Sequence, residues 1–197
     1  MSPRVILASG SAVRARLLKN AGLTVEVIPS NVDEDVIKAT QKDIGITSLA
    51  MMLARAKAHD VAMHHPDALV IGADQILECN GRYFDKPKNR IEAASHLRAF
   101  RGQTHRLITA CTIHRGVDEI WHQTRIPRLT MWDFDDAFIE DYLTRAGDGV
   151  LTSVGAYQLE GLGAHLFERI DGDFFSILGL PLLPLLAFLR TQGLLIS

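Results

Sequence analysis

Asp74 directly follows Ala68-Leu69-Val70-Ile71-Gly72-Ala73, a continuous apolar run that reads as a central strand, so a carboxylate is expected at that strand's end. Open α/β sheets bind their ligands at the carboxyl ends of strands, which makes Asp74 the leading candidate for acid–base chemistry. The plainer alternative is an aspartate that ends a strand and caps a turn. A second constellation lies at the N-terminus. There Val5-Ile6-Leu7-Ala8-Ser9-Gly10-Ser11, followed by Ala12 to Leu18, reads as a buried strand, a hydroxyl-bearing turn and a helix. With Ser11 as the cap, the unpaired first-turn N–H groups and the helix dipole form a cradle for an anion such as phosphate. Arg14 is then the third helical residue; its side chain leans back toward the turn, where the guanidinium can fork onto phosphate oxygens. Against this stands a bland reading, with Arg14 and Arg16 on a solvated face and Ser11 only capping.

Lys57 falls in line with Leu49, Leu53 and Val61 at helical spacing, on the stripe that should face the core. Its ammonium either snorkels to solvent or meets a bound polyanion or the carboxylates of Glu34 and Asp74. Glu34 belongs to the acidic run Asp33-Glu34-Asp35, by itself a solvated loop. Paired with Asp74, it could hold a divalent cation through hard oxygens, as magnesium sites beside phosphates do. Asn80-Gly81 signals a two-residue hairpin between Ile76–Cys79 and Arg82–Asp85. That turn pairs Cys79 with Arg82, Leu77 with Phe84 and Gln75 with Lys86, and returns Lys86 beside Asp74. Strict alternation puts the two on opposite faces, so joint action needs a bulge or a twist.

The elements that must position these residues alternate apolar and amphipathic segments, which implies a mixed α/β fold. A short strand at Val25–Ile28 precedes the polar loop Ser30–Asp35, and a helix spans about Thr47 to Met63. A further helix begins near Asn89, with Glu92 placed as in a capping box and Gly102 closing it. Strands follow near Arg106–His114 and Ile120–Met131, the second an edge strand because it contains Pro127. A helix from about Asp135 to Ala146, a glycine-rich return and a last helix at Leu182–Arg190 complete the chain. The 197 residues, 47% hydrophobic and 22% charged, suffice for one sizeable core, and a single domain is expected.

Net charge and motif content exclude several function classes. With 21 basic and 23 acidic residues there is no global basic field to hold a nucleic acid polymer. The apolar run Ile177 to Leu189 is too short, and too interrupted by Gly179, Pro181 and Pro184, to cross a membrane. Cys79 and Cys111 match neither a disulfide framework nor a metal spacing, and no signal peptide precedes the first strand, so a cytoplasmic protein with reduced thiols is expected. The eight histidines show no HExxH spacing. Neither GxxxxGK[ST], GxGxxG after the first strand, nor GxSxG is present, which sets aside kinase, dehydrogenase and esterase chemistry.

Taken in order, the motifs resemble the Maf family of nucleoside triphosphate pyrophosphatases over nearly the whole chain. They are Leu7-Ala8-Ser9-Gly10-Ser11 with Arg14 and Leu17-Leu18, Val32-Asp33-Glu34, Leu53-Ala54-Arg55-Ala56-Lys57-Ala58, Gly72-Ala73-Asp74-Gln75 and Lys86-Pro87, then Gly102-Gln103-Thr104-His105, Gly155-Ala156-Tyr157 with Glu160-Gly161, and Gly179-Leu180-Pro181-Leu182. The resemblance implies a two-lobed mixed sheet similar to inosine triphosphatases, a single domain over residues 1–197 with a cleft between lobes, homodimers, and dependence on Mg2+ or Mn2+. It puts the proton acceptor on Asp74 and further polar site positions on Ser9, Arg14, Glu34, Lys57 and Lys86. The implied reaction cleaves a nucleoside triphosphate between its α- and β-phosphoryl groups, as a house-cleaning activity on non-canonical nucleotides. The first loop departs from the family's usual Ser-Pro-Arg-Arg, having Ser11-Ala12-Val13-Arg14. Gln75 and Glu160 resemble the branch acting on 7-methyl-GTP, whereas Val13 lacks the aromatic ring common there. A 7-methyl-GTP-specific enzyme and a nucleotide-binding regulator of cell division without turnover are the alternatives.

Overall fold

A computed structural model describes residues 3–41 and 44–195. In chain order its elements are β1 (Val5–Leu7), α1 (Ala12–Asn20), β2 (Glu26–Val27), α2 (Glu34–Thr40), α3 (Ile46–Ala62), β3 (Leu69–Cys79), β4 (Arg82–Phe84) and α4 (Arg90–Phe100). These are followed by β5 (Thr104–Arg115), β6 (Asp118–Arg125), β7 (Arg128–Met131), α5 (Asp136–Ala146), β8 (Phe167–Asp171), α6 (Phe174–Ile177) and α7 (Leu182–Thr191). The sheet is mixed, as expected. β1 runs parallel to both β2 and β3, whereas β3–β4, β5–β6, β5–β7 and β7–β8 pair antiparallel. No helix among the described residues is long and apolar enough to cross a membrane.

The chain divides into two compact units, and long strands β3 and β5 each contribute residues to both. The first unit comprises Met1–Gln75, Thr109–Arg125 and Leu178–Ser197. Its apolar centre includes Ile6, Ala8, Val61, Ala62, Ala68 and Val70. The second unit, Ile76–Ile108 and Ile126–Ile177, buries Leu77, Phe84, Leu97, Phe100, Leu107 and Tyr157 together. His105 lies within that unit's aromatic packing, 5.2 Å from the Phe100 ring and 5.6 Å from Tyr157 between centroids. The glycine-rich return holds two short 3-10 turns and the unanticipated β8 and α6.

Three local expectations are corrected. Asp74 does not end a strand: β3 continues through it to Cys79, because a buried partner meets its charge and the backbone has no reason to leave the sheet. Ile120–Met131 is two strands, β6 and β7, which pair with different stretches of β5; Pro127, lacking an N–H, breaks the ladder between them. The acidic run is no loop. Asp33 caps α2 by accepting the Val36 N–H at 3.1 Å, and Glu34 is its first helical residue, where negative charge suits the helix dipole.

Candidate active site

The cradle forms as its residue types require. Ser11 caps α1, its Oγ accepting the Arg14 N–H at 3.4 Å, so Arg14 occupies the third helical position. The guanidinium is fixed rather than solvated. Nε donates to the Gly179 carbonyl at 2.8 Å, and Nη1 donates to Ser9 Oγ at 3.1 Å and to the Ala73 carbonyl at 3.0 Å. Ser9 Oγ also accepts the Ser11 N–H at 3.3 Å, so both serines are spent on holding the turn and the arginine. Nη2 is the guanidinium nitrogen without a hydrogen-bond partner among the described residues. Burial presses the Arg14 pKa below its usual value, while Asp74, then Cys111 and Glu34, act in the opposite direction. The group stays cationic, since guanidinium is not deprotonated in proteins. Burial pushes the Cys111 thiol up to about 12, which keeps it neutral and removes it as a competing nucleophile.

The acidic half of the site is assembled by α3 and β3. Lys57 lies on the core-facing stripe with Leu49, Leu53 and Val61, all buried as the spacing predicts, and only 8% of its surface is exposed. Its ammonium does not snorkel. Nζ stands 2.6 Å from Asp74 Oδ1 and 2.7 Å from Glu34 Oε1, so one cation joins two carboxylates. Asp74 itself is buried, and its Oδ2 has no hydrogen-bond partner among the described residues. Glu34 is brought in from the side: the loop before α2 is tied to α3 through the Asn31 N–H, which donates to Asp60 Oδ2 at 2.9 Å.

Small residues set this geometry. A Cβ at Gly72 would lie 2.2 Å from the Ala54 carbonyl oxygen and 2.7 Å from the Ala58 Cβ, so α3 rests directly on the β3 backbone there. Gly72 and Asp74 share one face of β3, and Ala54, Lys57 and Ala58 share one face of α3. The close approach that only glycine permits is therefore what brings Lys57 to Asp74. Past β1, whose last pairing is Leu7 with Ile71, β3 has no parallel β1 partner, and Asp74 lies in that extension. The positional logic of a carboxyl-end site survives, with β1 rather than β3 as the strand that ends.

The remaining expected site residues are Gln75, Lys86 and Glu160. The Gln75 amide donates to Thr109 Oγ1 at 2.8 Å. Lys86 and Glu160 are exposed residues of the second unit. The hairpin register holds for Cys79 with Arg82 and Leu77 with Phe84, but β4 stops at Phe84, so the expected Gln75–Lys86 pairing is not part of the ladder. Pro87 accounts for this, having no N–H to donate and restricting the residue before it. Two backbone carbonyls, of Ala73 and Gly179, were not anticipated as Arg14 partners. Gly179 carried the only legible signal, a glycine inside an apolar run. Its φ is +98°, and a Cβ there would press to 3.3 Å from Arg14 Nε.

The donor set suits a hard divalent cation. Two carboxylate oxygens already converge on a single positive centre, the Lys57 ammonium, which marks where positive charge is accommodated. No group of three or more His, Cys, Asp or Glu able to hold a metal occurs among the described residues. An ion here would draw its remaining ligands from water and substrate, the usual manner of magnesium beside phosphates.

Residues 4–192 match the family described as Maf-like protein. A Nitrobacter hamburgensis protein named nucleoside triphosphate pyrophosphatase is 54% identical over 97% of this chain and 95% of its own length. A Rhodospirillum rubrum protein of the same name is 48% identical over 99% of this chain and 98% of its own. One from Rhizobium etli, named 7-methyl-GTP pyrophosphatase, is 47% identical over 98% of each chain. A solved HAM1 protein from Coxiella burnetii shows a TM-score of 0.40 at 13% identity, covering 67% of this chain and 74% of that one, too slight a likeness to bear on the site.

Proposed function

The chain belongs to the Maf family, and we propose that it hydrolyses nucleoside triphosphates, modified ones included, between the α- and β-phosphoryl groups to give a nucleoside monophosphate and pyrophosphate. The observation that carries this reading is the meeting of Glu34, Lys57 and Asp74 in the same unit as a guanidinium bonded to the residue before Asp74. Such a set joins anion-binding donors to a carboxylate able to handle a water proton. In the nucleotide-free protein Asp74 Oδ1 is held by Lys57, and during the reaction Oδ2 would orient the attacking water and take its proton. Arg14, through Nη2, and Lys57 would offset the charge that gathers on the leaving pyrophosphate. The first-turn N–H groups behind Ser11 would add neutral donors to the same phosphates.

A magnesium or manganese ion held by Glu34 and Asp74 would polarise the phosphoryl oxygens and acidify the water, which aspartate alone does weakly at neutral pH. By the family resemblance, Lys86, Gln75 and Glu160 also contact substrate in this proposal. Cys79 and Cys111 are buried free thiols, in keeping with a reducing cytoplasm.

The test is incubation with a nucleotide panel plus Mg2+ or Mn2+, reading pyrophosphate release. 7-methyl-GTP belongs in the panel because a relative 47% identical is named for it. Release of pyrophosphate and monophosphate from at least one triphosphate is expected. Tight binding with no release would instead favour a sensor that does not turn over.

A further inference from the structure

Lys57 occupies one oxygen of each of the two carboxylates that a metal ion would use. Its Nζ lies 2.7 Å from Glu34 Oε1 and 2.6 Å from Asp74 Oδ1, and a dication on the same carboxylate pair would stand close against that ammonium, a like-charge contact in a nearly buried setting. We infer that the Lys57 ammonium is the resident cation of the Glu34–Asp74 pair, shutting out free divalent ions, and that a metal enters only together with the triphosphate that draws the ammonium away. The inference rests on the proposed function for the identity of that polyanion.

Charge balance gives the reason. Arg14 and Lys57 together cancel Glu34 and Asp74, so the nucleotide-free site is close to neutral. A bare dication would leave the set doubly positive where Lys57 and Asp74 are both nearly buried, an arrangement that burial makes costly. A dication accompanied by a triphosphate brings its own compensation. Lys57 also cannot simply retreat. Its stem is packed on the core face of the 17-residue α3, and a buried ammonium that leaves two carboxylates must find another anion. The triphosphate supplies one, so metal entry and ammonium release become a single exchange, with Lys57 passing from protein carboxylates to phosphate oxygens. Glu34 is the softer side of the clamp. Its side chain is 40% exposed against 7% for Asp74, so the ammonium's first separation is from Glu34.

The experiment titrates the nucleotide-free protein with Mn2+ alone, by calorimetry and by the Mn2+ electron paramagnetic resonance signal. The wild type is compared with Lys57→Met, and with Lys57→Gln in case the apolar replacement does not fold. Removing the ammonium should raise Mn2+ affinity on the order of tenfold or more, since an opposed charge in contact with both ligand oxygens is gone. Mn2+ should then raise the thermal midpoint of the variant and leave that of the wild type unmoved. Adding Glu34→Gln to Lys57→Met should cancel the gain, which locates it at the carboxylate pair. Equal Mn2+ affinity in the wild type and a folded Lys57 variant overturns the inference. Pyrophosphate release by the wild type is read separately. Turnover without the affinity gain keeps the proposed function and loses the exchange, whereas an affinity gain without turnover keeps the competition for the carboxylates and loses the proposed function.

Discussion

Two side chains divide the work at the smallest scale: Asp74 is held by one oxygen and offers the other, and Arg14 is held through Nε and Nη1 and offers Nη2. Asp74→Asn keeps the volume and the contact with Lys57 but removes the proton acceptor. Turnover is expected to fall by about 10²–10⁴-fold while nucleotide binding persists, as read by pyrophosphate release beside a binding titration; unchanged turnover would remove Asp74 from the reaction. Arg14→Lys keeps a charge but cannot span the Gly179 carbonyl, Ser9 Oγ and the Ala73 carbonyl together. Urea unfolding should show a loss of about 1–3 kcal/mol, with weaker triphosphate binding, because partly buried acceptors lose their donor. A variant as stable and as tight-binding as the wild type would reduce Arg14 to a surface residue. Both side chains were legible in the sequence from type and spacing. The direction in which Arg14 spends its donors was not, because its acceptors are backbone carbonyls that sequence pattern does not mark.

At the scale of elements, the contact of α3 with β3 decides whether the site exists. Gly72→Ala would place a methyl 2.2 Å from the Ala54 carbonyl oxygen and 2.8 Å from the Ala58 N, backbone atoms that yield only if the whole helix shifts. A stability loss of about 3 kcal/mol is expected, together with a fall in kcat because Lys57 rides on that helix. Gly10→Ala is the contrast, since its Cβ would meet nothing nearer than Pro29 Cγ at 4.0 Å, and its stability should stay within about 0.5 kcal/mol of wild type. Thermal and urea unfolding of the two variants separate these expectations; equal effects would mean that the close approach is not what positions α3. The longer helices were legible: α3, α4 and α5 begin within a residue or so of their expected starts, α4 from its capping signal. Where the sequence reading failed, a tertiary partner had overridden local character. Asp74 looked like a strand terminator until Lys57 met it, and Asp33-Glu34-Asp35 looked like a loop although Asp33 with acids in the next two positions is itself a helix-start signal. Pro127 points in the sequence to one edge strand; it instead separates two strands, of which β7 is flanked on both sides, by β5 and β8.

Across the whole molecule, histidines that take no part in the proposed reaction set its response to acid. His105, from the Gly102-Gln103-Thr104-His105 motif, is wholly buried, with Nε2 2.8 Å from the Tyr157 hydroxyl and Nδ1 without a hydrogen-bond partner among the described residues. Two of the family-like motifs thus meet in a core contact rather than in the site. Burial pushes the His105 pKa down to about 3, and His96 and His114 are lowered chiefly by the same cause. In the unfolded chain such rings titrate near ~6.5. Above that value both states are neutral and the contribution to stability is complete. As pH falls below it the unfolded chain binds protons that the folded chain refuses, so stability drops, by up to about 1.4 kcal/mol per pH unit for His105, with His96 and His114 acting in the same direction. Urea unfolding from pH 7.5 down to 5 should therefore show little change above about 6.5 and a progressive decline below it, before the carboxylates begin to protonate. His105→Gln, which keeps a hydrogen-bonding group for Tyr157 but does not titrate, should flatten that decline by close to one proton. A slope identical to wild type would mean that the His105 ring accepts its proton within the folded core, and that the packing around Tyr157 is looser than the 2.8 Å contact implies.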